Sequence, residues 1–98
     1  MNANNLNYLS ELETIIRDRI GTQPAGSYTR QLVASGTRRV AQKVGEEAVE
    51  FALAAAAGTR QEQISEAADL LFHFQVLLAV LGLSLADVAD CLERRHRG

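Results

Sequence analysis

Ninety-eight residues, 47% of them apolar, suffice for one domain around one core, although a chain this short gains from burying a face against a second copy. A net charge of −2 and a pI near 5.6 give no broad cationic surface for nucleic acid, so an anionic partner has to be met by local cations or a metal. Cys91 is the sole cysteine, which excludes an internal disulfide and a cysteine-rich zinc site and fits a reducing cytoplasm; we read it as a core thiol.

Residues 1–12 are polar and acidic with no apolar export segment, and the long apolar stretch Ala67 to Leu83 is interrupted by Asp69, His73 and Gln75, so no membrane span is expected. Leu6, Leu9, Leu12, Ile15, Ile16 and Ile20 recur at helical spacing and predict a first helix from about residue 5 to 20, closed by Gly21. Pro24 and Gly26 break the chain, making residues 21–27 the best candidate for a mobile segment. Ser27 then suits the N-cap of a short helix ending at Gly36. Thr37 to Ala57 carries Val40, Val44, Ala48, Phe51 and Ala55 along one face, a long third helix. Gly58-Thr59 is a tight stop and restart, and a fourth helix runs from Arg60 to Leu81 with Gly82 as its cap. Ser84 can cap a last helix from Leu85 to about His96, whose Arg94, Arg95 and Arg97 suit a helix C-terminus. No strand pattern, repeat or linker is visible. The expected fold is a single all-α domain over 1–98, a helical bundle with a central antiparallel hairpin, completed by dimerisation.

Two long helices joined by a very short turn pack antiparallel, so residues equidistant from the turn come level. Counted from Gly58, Glu50 and Glu66 each lie eight residues away, Glu47 and Asp69 eleven, and Lys43 and His73 fifteen. The four acids therefore form two rungs, roughly 12 to 17 Å from the turn at about 1.5 Å per residue. Winding the third helix at about 100° per residue from Val44 puts Glu47 near about −60°, within the apolar face. Glu50 and Lys43 fall at the edge of that face, and Glu46 points nearly opposite. On the fourth helix Glu62, Glu66, Asp69 and His73 share a stripe that continues into Val76, Leu77 and Val80.

Acids at such spacings are ordinarily a solvated helix face. Two sets mirrored about one turn and intruding on apolar faces point instead to a metal site, because packed carboxylates repel and a hard divalent cation removes the penalty. Mg²⁺, with Mn²⁺ as substitute, suits an all-oxygen set at Glu47, Glu50, Glu66 and Asp69, with Glu46 assisting. The Glu-x-x-His repeats of di-iron bundles, a His-Glu-x-x-His zinc motif and a phosphate-binding Gly-x-x-x-x-Gly-Lys loop are all missing. Lys43, beside the acids, is the first candidate for a phosphate contact, with an ion pair to Glu46 or Glu47 as its plainer role. His73 is either a hydrogen-bonded core residue or a substrate contact.

The string Lys43-Val44-Gly45-Glu46-Glu47-Ala48-Val49-Glu50, then Glu66-Ala67-Ala68-Asp69-Leu70 and Phe72-His73, resembles the phosphoribosyl-ATP pyrophosphatases of histidine biosynthesis, within the all-α MazG-like nucleotide pyrophosphohydrolases. Leu12-Glu13 through Arg17, Ser27-Tyr28-Thr29 and Leu92 to Arg95 extend the resemblance over nearly the whole chain; Phe72 departs from a Tyr frequent in the family. The resemblance implies cytoplasmic, Mg²⁺-dependent, dimeric hydrolysis of 1-(5-phosphoribosyl)-ATP to phosphoribosyl-AMP and pyrophosphate. It further implies that the cyclohydrolase domain often fused to such chains is supplied elsewhere. Glu50 is then our candidate general base, with Glu47 beside it, and Arg30, Arg38, Arg39, Ser27, Tyr28 and Thr29 are candidates for holding substrate; Arg38 and Arg39 equally fit a solvated helix start. A triphosphate-cleansing hydrolase of the same superfamily, and a non-catalytic helical dimerisation module, are the competing readings.

Overall fold

The computed structural model describes residues 3–22 and 27–97, with side chains from 5–20 and 27–97. A 3-10 turn (Ala3–Leu6) leads into α1 (Asn7–Thr22), followed by α2 (Tyr28–Ala34), α3 (Thr37–Ala57), α4 (Arg60–Leu81) and α5 (Leu85–Arg97). No strand occurs among the described residues. The all-α architecture is as the periodicity predicts, with three adjustments. Helix α1 runs through Gly21 to Thr22, because glycine weakens a helix by only about 1 kcal/mol and does not forbid it. Helix α2 stops at Ala34 and not at Gly36, since Gly36 already serves as N-cap of α3. The last helix reaches Arg97, one residue further than expected. Most of the segment expected to be mobile, residues 23–26, lies outside the described residues.

The predicted caps are present and are better built than the sequence reading allowed. Ser27 accepts the Arg30 N–H at 3.1 Å. Thr59 and Glu62 form a reciprocal capping box: Thr59 Oγ1 accepts the Glu62 N–H at 3.1 Å, and the Glu62 carboxylate accepts the Thr59 N–H at 2.8 Å. The Glu62 carboxylate is thereby committed to the cap, and these hydrogen bonds hold it below the usual range, while the residue still lines a groove with Glu50 and Glu66. Ser84 and Asp87 repeat the arrangement at the start of α5.

Gly58 permits the turn between α3 and α4. A Cβ there would lie 2.9 Å from the Ala54 carbonyl oxygen, so any larger residue must push the helix end aside. The short connection sets α3 and α4 side by side along their length, the dominant packing in the molecule. The core lies at the end of this hairpin away from the turn, where Ile16 of α1, Leu32 of α2, Val40 of α3 and Val76 of α4 are buried together. Thr29 is also buried there. Near the turn no third layer covers the hairpin among the described residues, and Val49, Leu53 and Ile64 are each about 60% exposed or more. By length and hydropathy alone α4 would pass for a membrane span; its Val76 and Leu78 are buried within the chain.

The motif Leu12-Glu13 to Arg17 has a structural task. Glu13 Oε2 accepts the Leu85 N–H at 2.7 Å, and Arg17 donates to the Leu83 carbonyl at 3.2 Å. Together they clamp the α4–α5 connection onto α1.

Thr59→Ala removes one half of the capping box and is expected to lower stability by about 0.5–2 kcal/mol. A shift of the urea midpoint with unchanged slope would show it; an unshifted midpoint would mean the box does not stabilise the hairpin.

Candidate metal centre and active site

Three of the predicted acids converge. Glu47 on α3 and Glu66 and Asp69 on α4 each offer one carboxylate oxygen within 4.8 Å of the others. Helix geometry explains the selection. Glu47 lies on the side of α3 turned to α4 and is 7% exposed, as its winding angle predicts. Glu66 and Asp69, one turn apart on α4, therefore both meet the single acid that faces them, in place of the two expected rungs. Glu50 is displaced around α3 and remains exposed outside this group.

Each oxygen of Glu47 has a different environment. Oε1 accepts from Lys43 Nζ at 3.2 Å. Oε2 is buried without a hydrogen-bond donor, a costly state for an ionised carboxylate. Glu47 is held below the usual carboxylate range, first by its side-chain hydrogen bond with Glu50 and then by Lys43, against the opposing effect of burial. Glu50 is pushed above the range, chiefly by Glu47, with the Glu66 charge adding to it. The same Glu47 carboxylate raises Lys43.

Lys43 thus takes the plainer of its two expected roles in this structure, pairing with Glu47 and, at 3.7 Å, with Glu46. Glu46 faces away from the cluster, as its winding predicts, and is engaged by Gln42 at 3.0 Å and Arg39 at 3.7 Å. It can steady Lys43 and Arg39, but its carboxylate is not among the three that converge.

His73 is buried and hydrogen-bonded at both nitrogens. The Asp69 carbonyl, 2.7 Å from Nδ1, can only accept, so Nδ1 carries the proton and Nε2 accepts the Tyr28 hydroxyl at 2.7 Å. Tyr28 is also in ring contact with Phe72 and His73. Within Ser-Tyr-Thr, then, Ser27 is a cap, Tyr28 reaches His73 and Thr29 is core. Tyr28, Gln31, Leu32, Ser35, Arg39 and Lys43 line a groove of about 330 Å³ between α2 and α3. Arg30 and Arg38 are exposed and line neither this groove nor the acidic cluster. Sequence reasoning missed the Tyr28–His73 bond, whose partners are 45 residues apart with no local pattern to join them.

Residues 9–96 match the family described as phosphoribosyl-ATP pyrophosphohydrolase. The chain belongs to that family. It is similar to the histidine biosynthesis bifunctional protein HisIE of Photobacterium profundum, 51% identical over 89 residues that make up 91% of this chain and 43% of that protein. The Vibrio cholerae protein of the same name is 50% identical over 92% of this chain and 43% of its own length. That of Pasteurella multocida is 54% identical over 91% and 44%. The chain therefore spans less than half the length of these relatives. As a member of the phosphoribosyl-ATP pyrophosphohydrolase family, it carries Glu47 on α3 opposite Glu66 and Asp69 on α4.

Lys43→Met leaves Glu47 buried without its counter-charge and is expected to cost about 1–3 kcal/mol in metal-free protein near neutral pH. The pair needs an ionised Glu47, whose folded value lies below its ordinary 4.5. Its contribution is therefore complete above about pH 4.5 and lost as the pH falls through that lower value. Urea titrations should show a constant gap between wild type and variant from about pH 5 upward that closes in acid. A gap undiminished at the lowest pH where both fold would contradict the assignment.

Proposed function

We propose that this chain hydrolyses 1-(5-phosphoribosyl)-ATP to 1-(5-phosphoribosyl)-AMP and pyrophosphate in histidine biosynthesis, using Mg²⁺ or Mn²⁺ held by Glu47, Glu66 and Asp69. One observation carries the reading: three carboxylates converge within 4.8 Å, and one of them keeps a buried oxygen with no donor. Such an arrangement is unfavourable unless a cation or proton completes it, and oxygen donors select a hard cation. Family membership and the names of the relatives support the choice of substrate.

A bound divalent cation would supply neutralisation of the polyphosphate charge and polarisation at phosphorus. The chain's own residues do the rest. Lys43 holds Glu47 ionised and oriented, and its remaining ammonium hydrogens can meet a phosphate oxygen. Glu46 steadies Lys43 from outside. Glu50, next to the cluster but outside it, is the carboxylate available to take a proton from the attacking water, and its raised pKa makes it a better base than an ordinary glutamate. Arg39, which lines the α2–α3 groove, is our first choice for the phosphoribosyl end, with Arg30 and Arg38 as outlying candidates.

A cytoplasmic location and the absence of nucleic-acid and membrane partners go with this reading. So does a homodimer. The apolar residues exposed near the turn, together with an apolar groove of about 350 Å³ along Ala67, Leu70, Leu71 and Phe74, form a surface that a second copy would cover.

Pyrophosphate release from phosphoribosyl-ATP should require Mg²⁺ and exceed that from ordinary nucleoside triphosphates by on the order of a hundredfold or more in kcat/KM. Equal turnover of ordinary triphosphates would favour the cleansing hydrolase, and no metal-dependent release from any would leave only the non-catalytic module. Glu50→Gln should lower kcat by about 10²- to 10⁴-fold with little change in KM. Near-full activity would remove Glu50 as the base.

A further inference from the structure

Helix α2 has seven residues and buries only Thr29 and Leu32. Its first residue, Tyr28, is 51% exposed, so the burial of neighbouring Thr29 does not by itself fix the Tyr28 ring. What fixes it is directional. The Tyr28 hydroxyl meets His73 Nε2 at 2.7 Å, and the His73 ring is itself oriented by Nδ1 donating to the Asp69 carbonyl at 2.7 Å. The ring of Tyr28 also lies against Phe72 and His73 at centroid distances of 6.2 and 5.8 Å. The chain of bonds runs from α2 to the backbone of Asp69, one of the three converging acids. On its other side Tyr28 lines the α2–α3 groove, and that groove reaches Lys43, which in turn holds Glu47.

We propose that the Tyr28–His73 hydrogen bond is a latch that keeps α2 and its groove in register with the carboxylate cluster, making Tyr28 and His73 positioning residues that bind each other and not the substrate. The chemistry is consistent with this division of labour. With Nδ1–H committed to a carbonyl and Nε2 to a hydroxyl, His73 has no nitrogen left for a ligand, and the Tyr28 proton is likewise engaged. An unlatched chain presents the groove out of register, so apparent affinity for the nucleotide falls by the fraction that remains latched. The proposal rests on the reading of the cluster as the hydrolytic site, but the latch itself can be tested without turnover.

Tyr28→Phe keeps the ring and removes the hydroxyl. It should raise KM for phosphoribosyl-ATP by about three- to tenfold, the effect of one net hydrogen bond, while kcat stays within about twofold. His73→Leu should do the same, the double variant should be no worse than His73→Leu alone, and His73→Gln, which keeps an acceptor for the hydroxyl, should recover most of the loss. Independently of activity, amide hydrogen exchange over Tyr28–Ala34 should quicken in Tyr28→Phe while α3 and α4 keep wild-type protection. Wild-type exchange in α2 together with wild-type KM would overturn the latch. A fall in kcat at unchanged KM would also overturn it, by making the hydroxyl a participant in the reaction. Additive losses in the double variant would show that the two residues act separately and would equally overturn it. Failure of wild type to release pyrophosphate would defeat the functional reading alone, with the exchange experiment still deciding the latch.

Discussion

The connection between α3 and α4 is two residues long, and that brevity imposes the register on which the site depends. Gly58 lets the chain leave α3 without striking the Ala54 carbonyl, and Thr59 starts α4 at once through its capping box with Glu62. With the two helices locked at the turn, the height at which each residue of α3 meets α4 is no longer adjustable. Glu47 is carried into the face of α4 that presents Glu66 and Asp69. The repulsion among these acids is therefore not relieved by sliding or fraying; it is built in by helix geometry and offset locally, by Lys43 on one oxygen of Glu47.

The hairpin then divides into two regions with different solvents. Away from the turn it is enclosed by α1 and α2 over Ile16, Leu32, Val40 and Val76. Toward the turn it is bare among the described residues, and Val49, Leu53 and Ile64 are exposed. The carboxylates sit at the border. Burial on one side depresses the mobility and hydration of Glu47, while the open side leaves Glu50 and the mouth of the cluster accessible. Such a border is where a charged polyphosphate can enter and still meet a site drier than bulk water, in which electrostatic contacts are worth more than at an open surface.

Much of this arrangement was legible in the residues themselves. The extents of α3 and α4 follow from long apolar periodicity bounded by Gly58 and Gly82, and the burial of Glu47 follows from its angle on the helix. Mirror counting placed the acids at the right height, but height is not azimuth. Glu50 lines one groove with Glu66 but stands outside the closest group, in which Glu47 meets both acids of α4. The Glu62 carboxylate is taken up by the cap because the third position of a helix faces the unpaired N–H there, a local demand that the stripe pattern does not register. The Tyr28–His73 bond and the Glu13 clamp on Leu85 join residues 45 and 72 positions apart; they depend on how helices pack, which spacing within one helix does not reveal.

The account comes down to where a divalent cation binds. Mn²⁺ can replace Mg²⁺ at an all-oxygen site and scatters anomalously, so a crystal of the full chain soaked in Mn²⁺ would locate it directly in an anomalous difference map. The account predicts a peak within ligand distance, about 2.0–2.3 Å, of carboxylate oxygens from Glu47, Glu66 and Asp69, lost in Glu47→Gln. A peak confined to other residues, or a map featureless at the cluster at millimolar Mn²⁺, would contradict it.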